Sequence, residues 1–138
     1  MWPLPPQLST LWVIVAFSVF IGKQFAADFL LQTKWMANGK ERPQNWAAPL
    51  FSHTAIHGAA TAAIYALLAP ELAWLGAVDF LVHSLIDRGK GYVVRRFGLT
   101  QANTFYWWVL GFDQTLHHAT HLVFAVLLAA FRTNHAVT

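Results

Sequence analysis

Residues 112–131 read FDQTLHHATHLVFAVLLAAF. From Leu122 to Phe131 the stretch contains no polar side chain, yet its first ten residues carry Asp113, His117, His118 and His121. The second half belongs in hydrocarbon, where an ionised group near the bilayer centre costs at least about 2.5–3.5 kcal/mol. The two halves are continuous, so the polar groups need compensation from elsewhere in the chain.

Composition points to where that compensation lies. The chain has 138 residues, of which 57% are hydrophobic and 11% charged, against about a quarter charged in ordinary soluble domains. Four apolar stretches, 11–32, 46–69, 72–87 and 105–131, approach the roughly 17–25 residues needed to cross a hydrocarbon core. The third is short and must be extended or buried against its neighbours. The expected fold is all-α: one integral-membrane domain over 1–138, a four-helix transmembrane bundle. A soluble bundle is the competing architecture, but a chain this small could not hide four all-round apolar helices from water. Met1–Gln7 lacks a basic segment and no small-residue cleavage site closes the first apolar run, so the first helix is expected to be retained. The absence of cysteine removes disulfides and thiolate ligands.

The net charge of +3 would suit a nucleic-acid partner only if the charges clustered on one face. Instead Lys34, Lys40 and Arg42 lie in the first loop and Arg88, Lys90, Arg95 and Arg96 in the third, both flanking expected spans. No nucleic-acid partner is expected; the partner is the lipid bilayer. With four spans these loops share one face, cytoplasmic by the positive-inside bias, and both termini lie on the periplasmic side of a bacterial inner membrane. Tyr92–Leu99 mixes apolar residues with paired arginines and reads as an interfacial segment between helices 3 and 4. Trp2, Trp35, Trp46, Trp107 and Trp108 fall near expected span ends, as an aromatic belt requires.

Residues four apart share a helix face. Gln24, Asp28 and Gln32 form one such series, His53, His57 and Thr61 a second, Asp79, His83 and Asp87 a third, and Asp113, His117 and His121 a fourth. Each expected span carries a single polar stripe, and counting depth from the cytoplasmic ends puts all four in the same half of the bilayer. Imidazole and carboxylate are the ligands of Zn²⁺, Fe²⁺ and Mn²⁺ where no thiolate is present, and bundle metal sites are built from such residues on facing helices. Asp28, His57, His83 and His117 are the candidate ligands of a divalent metal, Zn²⁺ ahead of Fe²⁺ or Mn²⁺. His53, Asp87 and Asp113 could complete a second metal shell or orient the imidazoles, and Asp87 or Asp113 is the candidate catalytic base. Lys23 lies near mid-membrane and is expected to pair with Asp79. Lys90, Arg95 and Arg96 would attract a phosphate or lipid headgroup.

Polar residues in membrane bundles also serve simply as helix-to-helix hydrogen bonds, the preferred reading for Gln24, Gln32, Thr61 and Thr115. His118 is off the stripe, His121 marks the transition to plain hydrocarbon, and His135 is in the tail.

The pieces ADFLLQTKWM (27–36), Gly39-Lys40, SHTAIHG (52–58), VHSLIDRGK (82–90) and FDQTLHH (112–118) together resemble a family of small bacterial membrane proteins, the domain-of-unknown-function family numbered 3307. In that family the first piece is expected to read His-x-x-x-Asp-Phe-x-x-Gln; Gln24 stands at the histidine position here and is a poor ligand. The resemblance implies a fold and no reaction. The His-x-x-x-Asp pairs are similar, more weakly, to those of inner-membrane metal-dependent hydrolases.

Three functions compete. The leading one is an intramembrane metal-binding protein, a metal-dependent hydrolase if it is an enzyme, whose substrate arrives from the cytoplasmic leaflet. The second is a non-enzymatic subunit of a larger membrane complex, with histidines ligating haem or a pigment. The third is an ion or proton transporter, opposed by the loss of polar residues after His121.

Overall fold

The computed structural model describes residues 5–135, and Trp2 lies outside them. Helix α1 covers Thr10–Phe25 and passes directly into a π-helical turn, Ala26–Leu30. There the Leu31 amide donates to the Ala26 carbonyl at 2.9 Å, a bond five residues long that inserts an extra residue into the helix. A short helix follows, α2 (Lys34–Gly39), opened by Thr33, whose Oγ1 accepts the Met36 amide at 3.3 Å. Helix α3 (Ala47–Leu68) tolerates Pro49 because first-turn amides need no helical acceptor. One 3₁₀ turn, Pro70–Leu72, reverses the chain into α4 (Leu75–Arg96), and α5 (Thr104–His135) completes the molecule.

Helix α4 stops where the sequence supplies a residue without a side chain. Gly98 takes φ 58°, which costs glycine little and other residues more. The Leu99 amide bonds the Val94 carbonyl at 2.9 Å and the Gly98 amide bonds Arg95 at 3.2 Å, the paired bonds of a Schellman ending. Tyr92–Arg96, expected as a separate interfacial segment, are therefore the last turns of α4. The third stretch read short because hydropathy falls at Asp87, whereas the helix continues to Arg96 despite Gly89 and Gly91.

The described residues hold helices and turns only. Two stretches, Thr10–Leu30 and Thr104–His135, are long and apolar enough by themselves to cross a membrane. In α3 and α4 the apolar character is diluted by residues that face inward: His53, His57 and Thr61 on one, Asp79, His83 and Asp87 on the other, all buried. These two helices cross closely through glycines. A Cβ on Gly76 would stand 2.5 Å from the Gly58 carbonyl and 2.6 Å from the Ala62 methyl. Such small-residue contacts bring backbones together in helical membrane proteins.

The interior divides along its length. At one end Ala16, Phe20, Tyr65, Leu75, Phe124 and Leu128 pack into an apolar core. At the other most of the buried side chains are polar or charged, Leu50 and Ala27 excepted, while the outer surface carries exposed Ile21, Phe29, Leu81, Leu85, Trp108 and Phe112.

Candidate metal centre

Four elements deliver the polar interior. Asp28 comes from the π-turn, and Gln24 one turn earlier donates from Nε2 to its carboxylate. Gln32 lies just past the helical residues and donates to the Asp28 carbonyl at 3.1 Å. Helix α3 presents His53 and His57, α4 presents Asp79, His83 and Asp87, and α5 presents Asp113, His117 and His121. All nine ionisable groups fall into three adjoining groups of ligand-forming atoms.

The innermost group is His57, Asp79, His83 and His121. Its carboxylate is saturated: Asp79 accepts from Lys23 Nζ at 2.6 Å, from Thr61 Oγ1 at 2.6 Å, and pairs with His83 Nδ1 at 2.9 Å. Lys23 also reaches His121 Nε2 at 2.9 Å. A cation is thus already built in, and this end of the site is closed. The Asp79 bond makes His83 Nδ1 the protonated nitrogen, which leaves Nε2 with its lone pair. That Nε2 is buried and has no hydrogen-bond partner.

The two outer groups differ. Asp28, His53 and His57 form one, and Asp87, Asp113 and His117 the other. His53 Nε2 lies between them, 3.4 Å from Asp28 Oδ1 and 3.6 Å from Asp87 Oδ2. His117 Nε2 stands 3.6 Å from both Asp87 Oδ1 and Asp113 Oδ1. These separations are too long for hydrogen bonds. Two ligands held tetrahedrally at Zn–N and Zn–O lengths lie about 3.4 Å apart, so the spacing suits atoms that share an ion. The shorter His57 Nε2–Asp28 Oδ1 contact, 3.0 Å, is an ordinary hydrogen bond.

The rings are in continuous contact: His53 meets His57 edge-on at 4.8 Å between centroids, His57 stacks on His83 at 3.9 Å, and His83 stacks on His117 at 4.2 Å. Besides His83 Nε2, the Nδ1 atoms of His53, His57, His117 and His121 and the Oδ1 of Asp113 are buried without a hydrogen-bond partner. Unpartnered polar atoms at this density are costly in a finished interior.

A polar cavity of about 360 Å³ opens onto Asp28, Asp87, Asp113 and His117. Lys40 and Lys90 line it too; Lys40 Nζ holds Asp87 Oδ2 at 2.9 Å, and Lys90 Nζ holds Glu41 at 2.7 Å and lies 3.8 Å from Asp113. The carboxylates of Asp28, Glu41, Asp79, Asp87 and Asp113 exceed the ammonium groups of Lys23, Lys40 and Lys90 by two charges.

A family model described as protein of unknown function (DUF3307) matches residues 12–138. The chain belongs to this family. No curated protein and no solved structure matches it. Membership therefore brings no reaction with it, and the site has to be read from its own atoms.

Lys23 and Asp79 form the ion pair that their depth suggested. His118 is exposed, one position off the buried face. His121, read as the edge of plain hydrocarbon, is instead a buried neighbour of Lys23 and Asp79; its i+4 spacing from His117 was the available signal. Lys40 stood in the sequence as a loop charge, and nothing in its local pattern shows that α2 folds back to bring it to Asp87. Lys90 sits at the cavity wall, Arg95 donates to the Glu41 carbonyl, and Arg96 is exposed. Trp35, Trp107 and Trp108 are exposed at the same end as these cations, whereas Trp12 and Trp74 mark the opposite end.

Proposed function

We propose that the protein is a four-span membrane protein that binds a divalent metal in its polar interior and acts as a metal-dependent hydrolase on a substrate reaching it from the cytoplasmic leaflet. The observation that carries this reading is the convergence of buried imidazole Nε2 and carboxylate oxygen atoms at ligand spacing beyond hydrogen-bond reach, His53 with Asp87 and His117 with Asp87 and Asp113, together with an excess of two carboxylates over ammonium groups when the imidazoles are neutral. One divalent ion offsets that charge. Zn²⁺ suits the mixed nitrogen and oxygen donors, and Fe²⁺ or Mn²⁺ would use the same set.

The membrane part of the reading rests on the inside-out arrangement of polarity. Large apolar side chains face outward on every long helix, including Leu67 on α3 and Leu85 on α4, while Lys23, Asp79, Asp87 and Asp113 turn inward. Tryptophans at both ends fit two interfacial belts.

Asp28, His53, His57, Asp87 and His117 are the ligands in this reading, with His83 held ready by Asp79. A bound divalent ion lowers the pKa of its water towards 7 and makes it a nucleophile. Asp113, whose Oδ1 has no partner and faces His117, is placed to take the proton. Lys40 and Lys90 at the cavity wall favour an anionic substrate. The transport reading is opposed by the apolar core of Phe20, Tyr65, Phe124 and Leu128, which closes the bundle beyond His121.

Element-specific metal analysis of detergent-purified protein tests the proposal. Near-stoichiometric metal is expected in the natural chain and in His118→Ala, and its loss in His57→Ala, His117→Ala and Asp87→Asn. Metal-free protein throughout, or equal content in all variants, would discard the enzyme and leave an accessory membrane subunit as the better reading.

A further inference from the structure

Along the seam between α4 and α5 run two apolar grooves that share Leu85, Ile86 and Leu116 and so form one trough. The larger part holds about 680 Å³. From Phe105 to Val123 on α5 the trough runs on the order of 27 Å at the rise of a helix. Part-way along it stand Asp113 and Lys90, and the same two residues line the cavity of the metal centre, which leaves about 15 Å of apolar trough from Asp113 to Val123. Greasy surface and polar site therefore meet at these two side chains.

We propose that this trough is the tail site of a phosphate-headed membrane lipid, which lays one hydrocarbon chain between α4 and α5 and turns its head towards Lys90 and the Asp87–Asp113–His117 group. Size selects a chain over a partner helix. A helix about 10–12 Å across could rest on the rim but could not sink between α4 and α5. Charge selects the head: Lys90 lies at the junction, and Arg95 and the exposed Arg96 follow on the next turns of α4. The head's attraction also rests on the metal reading above, since the carboxylates alone would repel an anion. The tail site does not depend on it.

Gly89 provides the test. It lies in the trough, and a Cβ there would meet no atom within 4 Å. A larger side chain would fill the trough without pressing on the protein, and alanine would leave it open. The probe is dodecyl phosphate with a diazirine at the chain end, cross-linked to the purified protein in phosphatidylcholine nanodiscs and mapped by peptide mass spectrometry. Cross-links are expected on the α4 and α5 segments of the trough, competed by unlabelled dodecyl phosphate. Gly89→Leu should cut them about tenfold or more by occupying the space of the chain, while Gly89→Ala and the metal content stay near the natural values. Leu116→Trp blocks the same trough and serves should Gly89→Leu not fold. Labelling spread evenly over the outer helical surface, or unchanged in both blocking variants, overturns the tail site even where metal is bound. Trough labelling in protein that binds no metal keeps the tail site and removes the metal reading.

Discussion

Asp79 and Asp87 occupy the same face of α4, and their neighbours give them opposite properties. Asp79 has its oxygens taken by Lys23, Thr61 and His83, so it acts as a fixed counter-ion and holds His83 in one tautomer. Asp87 is held by Lys40 on one oxygen and faces His117 across 3.6 Å with the other, so it retains capacity to bind. Breaking the inner pair should therefore cost stability rather than metal. Lys23→Met leaves Asp79 buried without its cation, a loss of about 3–5 kcal/mol for a broken buried pair. Adding Asp79→Asn removes the uncompensated charge, and the double variant should recover most of the thermal midpoint measured in detergent. A double variant as unstable as Lys23→Met would show that the carboxylate is needed for itself. Helical spacing in the sequence was enough to place both aspartates on one inner face. It could not divide their roles, because Lys23 and Lys40 reach them from residues 56 and 47 positions away.

At the scale of elements, periodicity was legible and interruptions to it were not. The four polar stripes follow from a constant turn per residue, so α3, α4 and α5 present their histidines and aspartates as spacing requires. The π-turn at Ala26–Leu30 depends on one extra residue whose presence has no compositional mark; AADFL reads as ordinary helix. The fold of α2 back over α3, which sets Gly39 against Pro49 and brings Lys40 to Asp87, is a tertiary event in a loop of six helical residues. The α3–α4 crossing lies between these cases: Gly58 and Gly76 are visible, but their mutual contact is not. That contact is exacting. Gly76→Ala should destabilise the bundle by about 1–3 kcal/mol, the range for overfilled interiors, whereas Gly22→Ala on α1, where a Cβ meets nothing within 4 Å, should not. Thermal unfolding of the two variants side by side separates a packing constraint from a general sensitivity of helical glycine.

For the whole molecule, the proposed membrane reading turns on how many helices cross. Hydropathy alone qualifies α1 with its π-turn and α5; the outward-facing leucines of α3 and α4 argue for four. The two arrangements put Glu71 on different sides. With four spans in the proposed orientation the Pro70–Leu72 turn faces the periplasm, opposite Thr100 in the loop before α5. With two spans everything between Leu30 and Thr104, including Glu71, stays on the same side as Thr100. The chain contains no cysteine, so single cysteines report without background, and both positions are exposed and lie outside the polar site. A membrane-impermeant maleimide added to spheroplasts should label Glu71→Cys and leave Thr100→Cys unmodified until the membrane is opened. Equal protection of both would confine the span count to two and leave α3 and α4 needing a protein partner to cover Leu67, Leu81 and Leu85. Labelling of Thr100→Cys from outside would invert the molecule, turn the basic cluster of Lys90, Arg95 and Arg96 to the periplasm, and remove the cytoplasmic leaflet as the source of substrate.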